Sequence, residues 1–124
     1  MAVGVLIIIG GLSRSSRGHE TRDPRRNFSA SERVAGFARA GNRCEHINLF
    51  GLRCSTPASH ADHHYPYSRG GATRMSNFVA LCASHNLHKS NKVPTRIATN
   101  RLERHRRRYF PSGESTEIVW RYRR

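Results

Sequence analysis

Acids, cysteines and long apolar runs are all scarce in this chain, and each shortage narrows what it can be. Eight Asp and Glu stand against 22 Lys and Arg over 124 residues, a formal charge of +14, so a polyanionic partner is favoured. Three cysteines, Cys44, Cys54 and Cys82, cannot all pair within one chain, and no signal peptide points to an oxidising compartment, so a disulfide framework is not expected. The one apolar run, Ala2 to Leu12, has about half the length of a bilayer-spanning helix, and no Lys or Arg precedes it as a secretory leader requires. The expectation is a cytoplasmic protein with no membrane association. Within that run Val5 to Ile9 is bounded by glycines and rich in β-branched residues, which suits a short buried strand or, equally, an unstructured apolar leader.

Hydrophobic residues make up only 36% of this short chain, too little for a core that stands unaided, so a staple is expected. With disulfides set aside, a metal is the staple that the composition favours.

Twenty of the 22 cations are Arg, whose planar fork matches phosphate oxygens bidentately. They concentrate in two flanks. Residues 14 to 39 hold seven Arg against three acids, and residues 92 to 124 hold nine Arg and one Lys against three acids. A sequence isoelectric point near 11.4 makes nucleic acid the natural partner.

The chain divides into residues 1–28, an apolar segment and mobile basic linker; residues 29–92, where the chemistry lies; and residues 93–124, a basic helix and tail. Ser29 and Glu32 have capping-box spacing, Val34, Phe37 and Ala38 form a stripe, and Gly41 supplies a stop, predicting a helix at about 30 to 40. Residues 58–66 and 76–82 read as arms of a hairpin across Gly70-Gly71. Ser84 opens a helical stretch that Pro94 must end. From Thr95 to about Arg108, Ala98, Leu102, His105 and Tyr109 share one face, with Arg101, Arg104, Arg107 and Arg108 around the rest.

All three cysteines and six of the eight histidines fall between residues 44 and 88. Cys82-x-x-His85 can grip a tetrahedral ion from a turn and the start of a helix, and Cys44 with Cys54 can close a second knuckle around a nine-residue loop. A Cys3His zinc site is expected over the alternative of small buried thiols, with His46 as a rival fourth ligand.

A second constellation runs Ala61-Asp62-His63-His64-Tyr65-Pro66, then Ser68-Arg69-Gly70-Gly71-Ala72-Thr73, then Ser76-Asn77-Phe78-Val79-Ala80-Leu81-Cys82, then His85-Asn86-Leu87-His88-Lys89. This closely resembles the HNH endonuclease family over roughly residues 30 to 92, including the lead-in Ala40 to Glu45. The chain departs from the family's pattern at Ile47, where a close second knuckle cysteine usually stands, and at His85, where the family usually has Cys.

The resemblance implies an α+β fold: a small zinc-stapled ββα-metal domain of the His-Me finger kind, with flanking helices. It implies a metal-dependent endonuclease acting on DNA by phosphodiester hydrolysis, leaving a 5′-phosphate and a 3′-hydroxyl. His63 is then the general base, its ordinary pKa leaving it able to accept a proton. Asp62 and Asn86 ligate a catalytic Mg²⁺ or similar hard divalent ion that keeps open positions for phosphate oxygens. Asp62 adjoins His63 on a strand, so a bulged backbone is expected there. Asn77 ties down the inter-strand loop and orients His63; a turn Asn bonding its own backbone is the alternative. Cys44, Cys54, Cys82 and His85 hold structural Zn²⁺, with His85 alternatively serving the catalytic ion. His64 is a phosphate or structural contact. Arg69 and Lys89 are phosphate clamps or a solvated face, and Arg101, Arg104, Arg107 and Arg108 lie along a duplex backbone. Phage or mobile-element contexts also follow as family-level expectations, with the host-cell cytoplasm as location and a homodimer or a phage packaging or DNA-processing protein as further partner. The rival reading is a non-catalytic, zinc-stabilised nucleic-acid-binding module.

Overall fold

The computed structural model describes residues 22–122, so the expectations for residues 1–21, the apolar run among them, lie outside the described residues. Among the described residues three α-helices and one two-stranded antiparallel sheet occur in the order α1 (Ala30–Arg39), β1 (His60–His63), β2 (Phe78–Leu81), α2 (Ala83–Lys89), α3 (Arg96–Arg106). The α+β class is as the sequence implied.

The sheet register is one to one, from His60 opposite Leu81 to His63 opposite Phe78. The bulge expected at Asp62 is therefore absent. Because side chains alternate along a strand, β2 serves two cores at once. Phe78 and Ala80 pack with Phe28 and Ala40 on one face, and Val79 and Leu81 pack with Cys44, Cys82, Leu102 and Ile118 on the other. All four β2 residues are buried, which explains why this strand reads as a continuous apolar run.

Helix α1 starts on the expected capping box, in which Ser29 Oγ accepts from Glu32 N at 3.2 Å and Glu32 Oε1 accepts from Ser29 N at 2.8 Å. Its buried face is not the expected Val34-Phe37-Ala38 stripe. Val34 is exposed, while Gly36 and Arg39 face inward. A Cβ on Gly36 would lie 2.4 Å from the Phe78 ring, so close approach to the strand, not hydrophobicity, selects that face. Arg39 is tolerated there because its Nη2 donates to Met75 O and Phe78 O at 2.6 and 3.1 Å.

Helix α2 ends at Ser90, which has a positive φ of 47°. Pro94 then precedes Thr95, whose Oγ1 caps α3 by accepting from Ala98 N at 3.1 Å. The α3 face also shifts from expectation. Leu102 and Arg106 are buried, whereas Ala98 is exposed. Arg106 enters the core because Glu45 meets it there, with Nε to Oε1 2.8 Å and Nη2 to Oε2 3.0 Å. Tyr109 Oη and Ala80 N also donate to Glu45, and Arg106 Nη2 donates to Phe78 O. A buried pair with its remaining hydrogen-bonding capacity filled is tolerable where a lone charge is not.

Residues 22–28 do not behave as the mobile linker expected of them. Asp23 is buried, accepting from Arg25 N and Thr73 N at 2.9 Å each, and its carbonyl accepts from Tyr67 Oη at 2.6 Å. Arg25 pairs with Glu32, holding the Glu32 carboxyl down to about 2. The short acidic side chain that Asp23 inserts between positive neighbours thus docks this segment onto the loop before β2.

Candidate functional site

Two groups of chemistry-bearing side chains flank the hairpin. On the Val79–Leu81 face, Cys44, Cys54, Cys82 and His85 bring one donor atom each to within 4.8 Å of one another and could hold a metal ion such as zinc. His85 Nδ1 is 3.3 Å from Cys82 Sγ and 3.5 Å from Cys44 Sγ. A tetrahedron with metal–sulfur bonds of about 2.3 Å and a metal–nitrogen bond of about 2.0 Å has edges of roughly 3.5 to 3.8 Å, so the donor set and spacing fit. Burial pushes the Cys44 thiol up to about 11; a thiolate there needs a positive neighbour, the role that a divalent ion fills. Cys82 is the N-cap of α2 and Cys44 sits in the core, so an ion would tie the 44–54 loop to the start of that helix. His46, the rival ligand, instead stacks on the His85 ring at 3.9 Å, and burial followed by the His85 charge lowers its pKa.

At the other end of β1, Asp62 and His63 border a cleft of about 370 Å³ whose walls include Arg26, Phe28, Arg33 and Tyr67. No bulge is needed to bring them to the same opening, because His63 is the last residue of the strand. The His63 ring lies against Phe28 at 4.7 Å and Tyr67 at 5.7 Å between centroids. Its Nε2 is 2.9 Å from Thr73 Oγ1, and that hydroxyl donates its one proton to Arg25 O. The hydrogen-bond network therefore assigns the proton on His63 to Nε2 and leaves Nδ1 as the acceptor. Burial first, outweighing the opposing Asp62 charge, holds the His63 pKa below its usual value, so the ring is neutral at pH 7.

The Asp62 Oδ2 atom is buried and accepts no hydrogen bond. Lys89 Nζ forms an ion pair with it at 2.9 Å and also donates to His63 O at 2.8 Å. A carboxylate oxygen beside a histidine is a donor that a hard cation suits, in competition with the Lys89 ammonium. Asn86 lies one turn before Lys89 on α2 and is half-buried, and no described residue holds its amide.

Asn77 is fully buried below the cleft. Its Oδ1 accepts from Tyr65 N at 2.9 Å, and its Nδ2 donates to Tyr65 O at 3.1 Å and Ala72 O at 2.9 Å. It thus clamps both ends of the loop that returns Thr73 to His63, which goes beyond a turn Asn bonding its own backbone. Gly71 is obligatory in that loop, since a Cβ there would meet Tyr65 O at 1.9 Å. His64 points away, buried against α3 with Nε2 2.9 Å from Thr99 Oγ1. Burial pushes its pKa down to about 3, and the contact it makes with Thr99 is a structural one.

The expected clamps are distributed differently from the sequence reading. Lys89 is occupied at Asp62 and His63, and Arg69 is exposed in a turn outside the cleft. Arg26 and Arg33 line it instead. On α3, Arg104, Arg107 and Arg108 are exposed and Arg101 is half-buried, while Arg106, which the expected face left aside, is the buried one. Sequence reasoning placed Thr73 in the motif and gave it no role; a Thr two residues after a glycine pair carries no signal by itself.

Among the described residues no helix is long and apolar enough to cross a membrane. Comparison with known protein families, curated proteins and solved structures found no match.

Proposed function

We propose that the protein is a metal-dependent DNA endonuclease of the HNH kind, hydrolysing phosphodiester bonds to a 5′-phosphate and a 3′-hydroxyl. The observation that carries this reading is the relay from His63 Nε2 through Thr73 Oγ1 to Arg25 O. It leaves a neutral Nδ1 at a cleft that Arg26 and Arg33 make attractive to phosphate. His63 accepts the proton of the attacking water at Nδ1. Thr73 keeps the ring in that tautomer, and Asn77 holds the loop that carries Thr73. Asp62 and Asn86 are the residues that would hold a divalent ion such as Mg²⁺, which when bound supplies positive charge against the charge developing on phosphate and the 3′-oxygen. Cys44, Cys54, Cys82 and His85 hold structural zinc. Arg104, Arg107 and Arg108, with Arg101, grip the duplex backbone.

One observation favours a non-catalytic nucleic-acid-binding module instead: the Lys89 ammonium already neutralises Asp62. Incubating supercoiled plasmid with the protein and Mg²⁺, Mn²⁺ or EDTA separates the two. Relaxed or linear product that appears with the ion and vanishes with EDTA is the expected result; intact supercoils under every condition leave only the binding module.

A further inference from the structure

The nine residues between Cys44 and Cys54 form a small hairpin with a fixed tip. Ile47 bridges Arg53 at its base and Cys54 N donates to His46 O at 2.8 Å. At the top, Asn48 Oδ1 accepts from both Phe50 N and Leu52 N, at 2.9 and 3.0 Å, and Asn48 N donates to Leu52 O at 2.9 Å. Gly51 supplies the positive φ of 78° that closes the turn. This well-bonded turn presents apolar side chains to solvent: Leu49 is 94% exposed, Phe50 89% and Leu52 64%. Nothing in the described chain covers them, although the turn itself is internally satisfied.

The surroundings are cationic. A groove of about 310 Å³ runs from the loop to the end of α3, lined by Arg43, Arg53 and Arg108 and by no acid. Arg101 reaches Asn48 O at 3.5 Å. Burial, then the neighbouring charges of Arg108, Arg101, Arg104 and Arg53, hold His105 below its usual pKa, which reflects the same positive field.

We propose that Leu49 and Phe50 are a wedge that enters an opened base step of duplex DNA while the arginines around the loop hold the flanking phosphates. The inference rests on the endonuclease reading for its partner. Apolar side chains inserted between base pairs unstack the step and kink or unwind the duplex, and they need a rigid support with cations on either side. This tip has that form: a ring and a branched aliphatic chain at consecutive positions on a turn pinned by Asn48. Three side chains, Leu49, Phe50 and Leu52, are a small apolar area for anchoring a chain on a lipid surface, whereas one base step is filled by the first two.

The test uses the full chain with its zinc, carrying His63→Ala so that bound DNA is not cut, together with singly nicked circular plasmid. Ligase closes the circles with protein bound, and linking number is read after the protein is removed. The His63→Ala protein should leave negative supercoils that increase with protein concentration. Adding Leu49→Ser and Phe50→Ser should weaken duplex binding roughly tenfold or more and leave the circles relaxed, with circular dichroism and zinc content unchanged because both positions are exposed. Phe50→Leu alone, which keeps an apolar tip, should retain most of the unwinding. Equal supercoiling by the double-Ser protein overturns the wedge, and so does tip-dependent binding to phosphatidylglycerol vesicles without plasmid unwinding. Either result leaves the nuclease reading standing if the wild-type chain cuts. Absence of both cutting and duplex binding by the wild type removes both readings, and unwinding without cutting keeps the wedge on a non-catalytic module.

Discussion

The knuckle packs on the Val79–Leu81 face of the two strands and His63 lies on the Phe78–Ala80 face, and the side chains of the two sites are held in opposite ways. In the knuckle, Cys44, Cys82 and His85 face one another at 3.3 to 3.5 Å with few other partners. In the cleft, each group is held by the protein: His63 by Thr73, the loop by Asn77, Lys89 by His63 O, and residues 22–28 by Asp23. Converging donors could hold an ion, while the side chains of the cleft have their partners within the chain. In the cleft, Asp62 Oδ2 is paired with the Lys89 ammonium at 2.9 Å. That contrast separates side chains that converge on one point from side chains that the protein itself holds.

The largest expected effect falls on the knuckle. Structural zinc in small domains contributes apparent folding free energy of about 10 kcal/mol or more, so Cys82→Ser should abolish the cooperative thermal transition and the copurifying ion, about one per chain in the parent. A Cys82→Ser protein that keeps its near-ultraviolet dichroism and melts within a few degrees of the parent would show that the strands and helices suffice.

On the cleft side the order of effects reverses, with chemistry lost and stability kept. His63→Ala should reduce plasmid cleavage by about a hundredfold or more while duplex affinity and melting temperature change little. Full cleavage by this variant would remove His63 from the reaction.

A smaller loss is expected one bond further out. Thr73→Val removes the acceptor for His63 Nε2–H, so cleavage should fall about tenfold. The ¹⁵N shifts of the imidazole should also change from a single Nε2–H tautomer to a mixture. Unchanged shifts would mean that the burial of the ring, not Thr73, sets its protonation.

The mildest change concerns grip. Replacing Arg104, Arg107 and Arg108 with Gln should flatten the slope of log affinity against log salt by about 0.9 for each phosphate no longer neutralised, with sequence preference unaltered. An unchanged slope would assign the phosphate grip to Arg26, Arg33 and the loop around Phe50.

Much of this was legible because it depended on short spacing. The capping box at Ser29 and Glu32, the hairpin arms around Gly70-Gly71 and the Cys82-x-x-His85 pair are local relations, and the chain folds them as the spacing implies. Faces were less legible. The stripes expected on α1 and α3 were each displaced, because Gly36 had to accept the Phe78 ring and Arg106 had a buried acid to meet. Hydrophobic periodicity counts apolar residues and cannot register a guanidinium whose bonds are satisfied by carbonyls and a carboxylate.

By itself, then, the sequence determined the charge, the gathering of soft ligands between residues 44 and 88, and the order of strand, loop, strand and helix, all properties of composition and of neighbours along the chain. Only the tertiary structure decided that residues 22–28 are a wall of the cleft, that Thr73 assigns the His63 tautomer, that His64 faces inward and His46 stacks rather than ligates, and that Leu49 and Phe50 stand uncovered. Each of these depends on a partner 10 or more residues away or, for the exposed tip, on the absence of one among the described residues. Such pairings are set by how the two cores close around β2, which no local pattern encodes.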